Sequence, residues 1–359
     1  MAIFVGVMER GVVCGSDHTL VLDWNGAVWA FGSNQFSQLG LQDARNQLYP
    51  TKVEALRNIV SMACGCYHSA CVDKDGFLWT FGGNENGESG RGTDSSKLPQ
   101  QIPNVSNVTS VQCGHYHTMF IDSNDNLWGF GLNSFNQTGV TGTKSITTPE
   151  KVLSDVHMVA CGAQHTLCVT NNGRLIGFGR NDKSQLGLEE AKTVPLTELF
   201  IAGLESDSIR KLACGEHHSL VLSEGFIYSA GHNEQGQLGR ESGLPKFEKV
   251  NMLPEIIDIT CGNRQSLCVD VSNNLWKFGS SEKNWEPVCF EWPADIVEIS
   301  YGGFHVIVKD ACSRIWVCGQ NTSGQLGLGH RNPVGKFIRY EGIDIIKVPS
   351  KIHAKSAKK

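Results

Sequence analysis

One pattern recurs seven times along the chain, and no other feature restricts the fold as much. It reads CGSDHTLVLDWNGAVWAFG from Cys14, CGCYHSACVDKDGFLWTFG from Cys64, CGHYHTMFIDSNDNLWGFG from Cys113 and CGAQHTLCVTNNGRLIGFG from Cys161. It continues as CGEHHSLVLSEGFIYSAG from Cys214, CGNRQSLCVDVSNNLWKFG from Cys261 and YGGFHVIVKDACSRIWVCG from Tyr301. The anchoring glycines are Gly15, Gly65, Gly114, Gly162, Gly215, Gly262 and Gly302, in steps of 50, 49, 48, 53, 47 and 40 residues. A unit of this size cannot bury its own apolar face, so neighbouring units must stack.

Within a unit, apolar and polar residues alternate with period two, as in His18-Leu20-Leu22 against Thr19-Val21. The alternation breaks at Asn25-Gly26, Asp75-Gly76 or Asn172-Gly173 and resumes at segments such as Val28 to Phe31, which is the signature of a β-hairpin. A further short segment precedes each Cys-Gly, such as Ile59 to Ala63 or Ile256 to Thr260, and another lies near Lys52-Val53, Lys151-Val152 and Lys249-Val250. Four short strands per unit predict one propeller blade each. The chain is therefore expected to be all-β: a seven-bladed β-propeller over residues 1–350, followed by a Lys-rich, disordered tail over 351–359. Ile343 to Val348 and Ile3 to Val7 both look like strands that precede a unit, so the two chain termini are expected to meet in one blade and close the ring. Helical periodicity appears only near Leu196 to Leu204, inside the longest spacer, Leu188 to Arg210, which is the candidate for a protruding loop.

Composition narrows the class of partner. With 31 Lys+Arg against 36 Asp+Glu the net charge is -5, which opposes a surface built to grip nucleic acid. No apolar run approaches the roughly 18 residues a membrane span needs, and the 40 Gly point to many tight turns. The start, MAIFVGVMERG, has neither a basic region nor a small-residue cleavage site, so an intracellular protein, cytoplasmic or nuclear, is expected. Six of the 13 Cys stand before the repeated Gly, and in a reducing compartment they read as small buried hydrophobes.

The combination C-G-x-x-H-[ST], W-x-F-G-x-N and G-Q-L-G resembles the regulator of chromosome condensation repeat. The last element is complete at Gly236 to Gly239 and Gly324 to Gly327 and nearly so at Ser37 to Gly40 and Ser184 to Gly187. The resemblance covers about residues 1 to 350 and implies a seven-bladed propeller, in agreement with the repeat count. Unit six departs from it. Gln265 replaces the His, Ser280 to Glu286 replaces the Gln-Leu-Gly turn, and the step to the next unit shortens, so blade six is expected to be short on one side.

Cys followed four residues later by His suggests a metal ligand pair, but a ring would hold successive pairs a blade apart, so no metal is expected and each His is read as a packed, hydrogen-bonded residue. Trp29, Trp79, Trp128, Trp276 and Trp316 share one slot with Ile176 and Tyr228 and are read as fillers between blades. The chain lacks G-x-S-x-G, H-E-x-x-H, a phosphate loop and G-x-G-x-x-G, so neither catalytic residues nor a cofactor can be named.

The two residues between Gly and His vary while the rest of the unit does not. They are expected to line one rim beside the central channel, and the candidate partner-binding residues there are Asp17, Tyr67, His115, Tyr116, Gln164, Glu216, His217, Arg264 and Phe304. Tyr, Phe and Arg in one circle are the residue types of an interaction hot spot. The expected function is a non-catalytic platform that binds a protein partner, with no direct nucleic acid and no membrane insertion. The resemblance adds two alternatives. In the family's exchange factor for the nuclear-transport GTPase, an Asp and a His directly before repeat histidines are used, and they match Asp17 and His217; a small GTPase is then the partner. That factor also uses an F-R wedge motif, which none of the seven units contains. The second alternative is a recognition or regulatory subunit in ubiquitin ligation, since the family's propellers occur fused to ligase domains.

Overall fold

The computed structural model describes residues 11–92, 94, 97–204, 208–241, 245–279 and 285–341. They form seven four-stranded antiparallel sheets, each built from strands consecutive in sequence. The innermost strands are Val12–Cys14, Ile59–Cys64, Val108–Cys113, Val156–Cys161, Ile209–Cys214, Ile256–Cys261 and Ile296–Tyr301. Each leads through the Gly-x-x loop into a second strand, for example His18–Leu22, and a tight turn returns it as a third strand, Val28–Gly32. The period-two alternation sets this hairpin register, which places His18 opposite Gly32 and Leu20 opposite Ala30.

No described sheet takes strands from both ends of the chain. Blade seven, residues 296–339, and blade one, residues 12–52, are each complete and meet face to face. At this seam the Glu298 carboxylate accepts the backbone N–H groups of Gly11 at 3.0 Å and Val12 at 2.9 Å, and Ser300 Oγ accepts that of Cys14 at 3.0 Å. The segments at 3–7 and 343–348 expected to share a blade, and the tail over 351–359, lie outside the described residues.

The expectation for the longest spacer is corrected. Ala191–Leu199 is the fourth strand of blade four, paired through Gly179↔Val194 and Leu175↔Leu199, and is neither helix nor protruding loop. Pro195 opposes a helix and is tolerated in an outer strand, where its missing N–H faces solvent. Blade six has the shortest third strand, Leu275–Phe278, but its fourth, Val288–Phe290, is no shorter than those of blades two and five, Gln100–Gln101 and Glu248–Lys249.

The fillers between blades are mainly phenylalanines. Phe81, Phe130, Phe178 and Phe278 are fully buried and Phe31 nearly so, each worth roughly 2–3 kcal/mol of transfer free energy. Each ring packs on the last Gly of the Gln-Leu-Gly turn, or of its counterparts Glu88-Ser89-Gly90 and Gln137-Thr138-Gly139, in the preceding blade. A Cβ on Gly40 would lie 2.9 Å from Phe81, and one on Gly239 2.9 Å from Phe278. Those glycines also hold positive φ, 68° and 67°, so the turn needs Gly twice over. In blade five Ala230 stands in the Phe slot, and Phe247 from that blade's outer segment packs on Gly187 instead.

The tryptophans are only half-buried, and their indole N–H groups are what the slot uses. In five blades the N–H donates to an Asp six residues earlier: Trp29 to Asp23, Trp79 to Asp73, Trp128 to Asp122, Trp276 to Asp270 and Trp316 to Asp310. The other oxygen of each Asp accepts two backbone N–H groups of the hairpin turn, as Asp73 does from Asp75 and Phe77 at 3.0 Å each. Where the Trp is absent the Asp is absent too: Thr170 accompanies Ile176 and Ser223 accompanies Tyr228.

Candidate functional site

The rim is built on a ring of histidines. His18 Nε2 lies 2.9 Å from Ser69 Oγ in the next blade, His68 2.9 Å from Thr118, His117 3.0 Å from Thr166, His165 2.9 Å from Ser219, His218 2.9 Å from Ser266, and His305 2.9 Å from Thr19. Each hydroxyl gives its single proton to the backbone carbonyl of the turn residue before Leu or its equivalent, as Ser69 does to Gln38 at 2.8 Å and Thr19 to Gln325 at 2.9 Å. The Nε2 must therefore be the donor, which fixes the tautomer and leaves Nδ1 bare. Burial pushes the imidazole pKa down to about 3 at His18, His117, His218 and His305 and to about 4 at His68, so the rings are neutral. Each ring lies on the Gly of its own Cys-Gly: a Cβ on Gly15 would come within 2.3 Å of His18 Cε1.

Unit six keeps the ring closed by a compensated exchange. Gln265 replaces His, Val306 replaces the next hydroxyl and Tyr301 replaces the next Cys. The Tyr301 hydroxyl donates to Gln265 Oε1, and its ring covers Gly262 where an imidazole would otherwise lie.

This ring fixes the variable loops. Backbone bonds link successive loops around the channel, including Ser16 N–H to Gly65 O at 3.2 Å, Cys66 to His115 at 3.0 Å, Ala163 to Gly215 at 3.2 Å, Glu216 to Asn263 at 3.2 Å and Gly303 to Gly15 at 3.1 Å. The channel is narrow, about 140 Å³, and is lined by Ser16, His115, Ala163, Asn263 and Gly303 at the rim and by the ring of cysteines below. Burial pushes the thiols up, to about 12 at Cys14, Cys113 and Cys214, so they stand protonated.

All nine sequence-predicted residues lie in these loops, where they form an aromatic group and a charged group, with Asp17 and Phe304 in neither. On one side Tyr67 stacks on Phe36 with centroids 4.4 Å apart and meets Tyr116 at 5.8 Å. Burial, with Cys66 and Tyr67 alongside, raises the Tyr116 hydroxyl pKa. On the other side, Glu216 lies 3.6 Å from Arg264 and 3.7 Å from His217. Gln164 accepts a hydrogen bond from Arg180 at 2.8 Å, and Arg180 grips Asp182 through two bonds of 2.7 and 2.6 Å. Burial opposes ionisation of Asp182, but the Arg180 bonds and charge hold its pKa below the usual value. His115 belongs to both groups: it faces Tyr116 edge-on at 6.2 Å, and although burial lowers its pKa, Glu216 and a bond to Asn263 act on it from blades five and six.

Asp17 and His217 have separate partners. Gln325 Nε2 donates to Asp17 at 3.1 Å, and burial raises the Asp17 pKa. His217 packs edge-on against His232 at 6.4 Å, and burial lowers its pKa. Arg264 and Phe304, in adjacent loops joined by an Asn263 N–H to Gly303 O bond of 3.3 Å, are the two rim residues that stand exposed. The sequence reading missed Phe36, Arg180, Asp182 and His232. The available signal was the hairpin register, because the residue after Phe-Gly, or after Ala230-Gly231 in blade five, donates its N–H to the residue before His, as Arg180 does to Gln164 and His232 to His217.

Comparison with known proteins agrees with this architecture. The regulator of chromosome condensation of Xenopus laevis is 25% identical over 170 residues, 43% of this chain and 40% of that protein. The human probable E3 ubiquitin-protein ligase HERC6 is 28% identical over 155 residues, 37% of this chain and 15% of that protein. The matched stretches thus span well under half the length of these curated relatives. Among solved structures, yeast RCC1 (Prp20) bound to Kap60 superposes with a TM-score of 0.75 at 18% identity, covering 95% of this chain and 89% of that one, which bears on the fold alone. Among the described residues, no helix is long and apolar enough to cross a membrane. The sequence profile of the RCC1-like domain matches residues 7–268, nearly three quarters of the chain, and the chain therefore belongs to that family.

Proposed function

We propose that the chain is a non-catalytic binding platform that holds a protein partner on the rim around Arg264 and Phe304. The observation that carries this reading is the exposure of these two side chains on a rim whose other predicted members are half-buried. Phe304 is 48% exposed and the Arg264 side chain 58% exposed, the latter beside Glu216 at 3.6 Å. An exposed aromatic beside an Arg on hydrogen-bonded loops is suited to a hot spot, since the backbone that presents them is already ordered before binding. Yeast RCC1, which shares this fold, is seen bound to Kap60, and this supports a protein as the class of partner.

Nucleotide exchange on a small GTPase is the second reading, favoured by Asp17 and His217 standing in the same ring of loops. A recognition role in ubiquitin ligation rests on the likeness to HERC6. Affinity capture from host-cell lysate, with and without EDTA, separates these readings when run beside an Arg264→Ala/Phe304→Ala variant. A partner held regardless of EDTA and lost in the variant supports the platform. A small GTPase enriched only when Mg²⁺ is chelated supports exchange, and a ubiquitin-ligase catalytic subunit in the captured set supports the third reading. Equal capture by the variant at an unchanged melting temperature removes the rim from the interface.

A further inference from the structure

We propose that the rim at blades one and two holds an arginine side chain of a protein partner, stacked on Tyr67 and paired with Glu85. This is a second recognition point on the same face, separate from Arg264 and Phe304, and the rim supplies its own template for it. In blade four the Arg180 guanidinium lies 5.1 Å from the ring centre of Phe135, in the preceding blade. Gln164 accepts a hydrogen bond from it at 2.8 Å, and the Asp182 carboxylate accepts two more at 2.7 and 2.6 Å. An aromatic face with a carboxylate at its edge suits a guanidinium, which is flat, charged and able to bond a carboxylate through two nitrogens at once.

Blade two repeats the backbone of this site. The Gly83 N–H donates to Tyr67 O at 2.7 Å, as that of Arg180 does to Gln164 O at 2.8 Å, and the turn that follows closes in the same way, Gly87 N–H to Asn84 O at 3.3 Å against Ser184 to Asn181 at 3.1 Å. Phe36 stands at the position of Phe135, Tyr67 at that of Gln164 and Glu85 at that of Asp182, but Gly83 takes the position of Arg180. Among the described residues, three blades carry an acid two residues beyond that position. In two of them it pairs with the side chain there, Asp182 with Arg180 at 2.6 Å and Glu234 with His232 at 3.2 Å. In blade two Gly83 has no side chain to offer, and the exposed Glu85 has no hydrogen-bond or ion-pair partner among the described residues.

Tyr67 covers Phe36, with centroids 4.4 Å apart, as the guanidinium covers Phe135, but it brings no charge. The ring that an incoming cation meets is therefore Tyr67, on the face turned away from Phe36, with the half-buried Tyr116 ring beside it at 5.8 Å. A partner's arginine supplies the positive charge that Glu85 lacks, and it is favoured over lysine because it stacks on the ring and bonds the carboxylate together.

The test labels the full chain with fluorotyrosine, which marks its six tyrosines, and assigns the Tyr67 and Tyr116 signals by fluorine NMR of the Tyr67→Phe and Tyr116→Phe variants. The probe is the capped peptide Gly-Gly-Arg-Gly-Gly, compared with the same peptide carrying Lys or neutral citrulline in place of Arg. The Arg peptide is expected to shift both signals saturably, the Lys peptide to bind about threefold more weakly and the citrulline peptide about tenfold more weakly. Glu85→Gln is expected to weaken binding of the Arg peptide about threefold. Gly83→Arg, which sets the chain's own guanidinium there as in blade four, is expected to abolish it. Glu85→Gln changes only an exposed side chain, so the test stays readable should Gly83→Arg fail to fold. Three results overturn the proposal: no saturable shift of the Tyr67 signal, equal binding of the Lys or citrulline peptide, or undiminished binding of the Arg peptide by Glu85→Gln.

Discussion

At the scale of single residues, the buried imidazoles make stability depend on pH. Their folded pKa values, about 3 to 4, lie below the value of about 6.5 in an unfolded chain. Lowering the pH therefore protonates the unfolded chain first. The stability these rings contribute is complete above about pH 6.5 and is lost as the pH falls towards 4, by up to roughly 1.4 kcal/mol per ring per pH unit. Thermal melts should consequently drop steeply between pH 6.5 and 5, above the range where carboxylates titrate, and a flat profile there would contradict the ring of neutral histidines. Gly215 gives a second test at this scale. A Cβ there would meet His218 Cε1 at 2.1 Å and the Gly262 carbonyl at 2.6 Å, so Gly215→Val should cost at least about 4 kcal/mol and leave little folded protein in a denaturant titration.

At the scale of the strand and its turn, one carboxylate organises each Trp-bearing hairpin. Asp310 Oδ1 accepts the N–H groups of Cys312 at 2.9 Å and Arg314 at 3.0 Å, while Oδ2 accepts Trp316 Nε1 at 3.1 Å and Arg314 Nε at 2.6 Å. Burial raises its pKa, but Trp316 and Arg314 more than offset this and hold it below the usual value. Asp310→Ala would strand these donors and should destabilise the protein by about 2–4 kcal/mol in chemical denaturation, whereas Asn25→Ala, in the exposed turn of blade one, should cost under about 1 kcal/mol. The hairpins were legible because Asn-Gly turns and alternation are local. The Asp-Trp bond was not read because the Trp slot was taken as apolar filling, although the joint loss of Asp and Trp in units four and five was visible in the sequence.

At the scale of the whole molecule, the described ring closes where blade seven meets blade one. Glu298 accepts two backbone N–H groups across that seam, and hydrogen bonds to a charged group are worth roughly 1.5–3 kcal/mol each. Glu298→Ala should lower the melting temperature and expose the segment around residues 11–14 to limited proteolysis before any other strand. Cleavage first at the outer strands would show that the seam is not the weak point. Because each blade contacts mainly its neighbours, a break there exposes the inner faces of two blades at once.

The sequence by itself determined the number of blades, the four strands of each, the turns between them and the location of the variable loops. All of these follow from local periodicity and from a repeat too small to bury its own apolar face. Only the tertiary structure decided which residues face one another across blades. Phe81 reaches Gly40, Gln265 reaches Tyr301, and His115 spans the channel mouth towards Asn263 and Glu216. It also drew an aromatic group and a charged group out of the nine rim residues, with Asp17 in neither and Arg264 and Phe304 left open to solvent. Such contacts join residues tens to hundreds of positions apart, and their pairing is set by how the blades close into a ring rather than by the pattern within any one repeat.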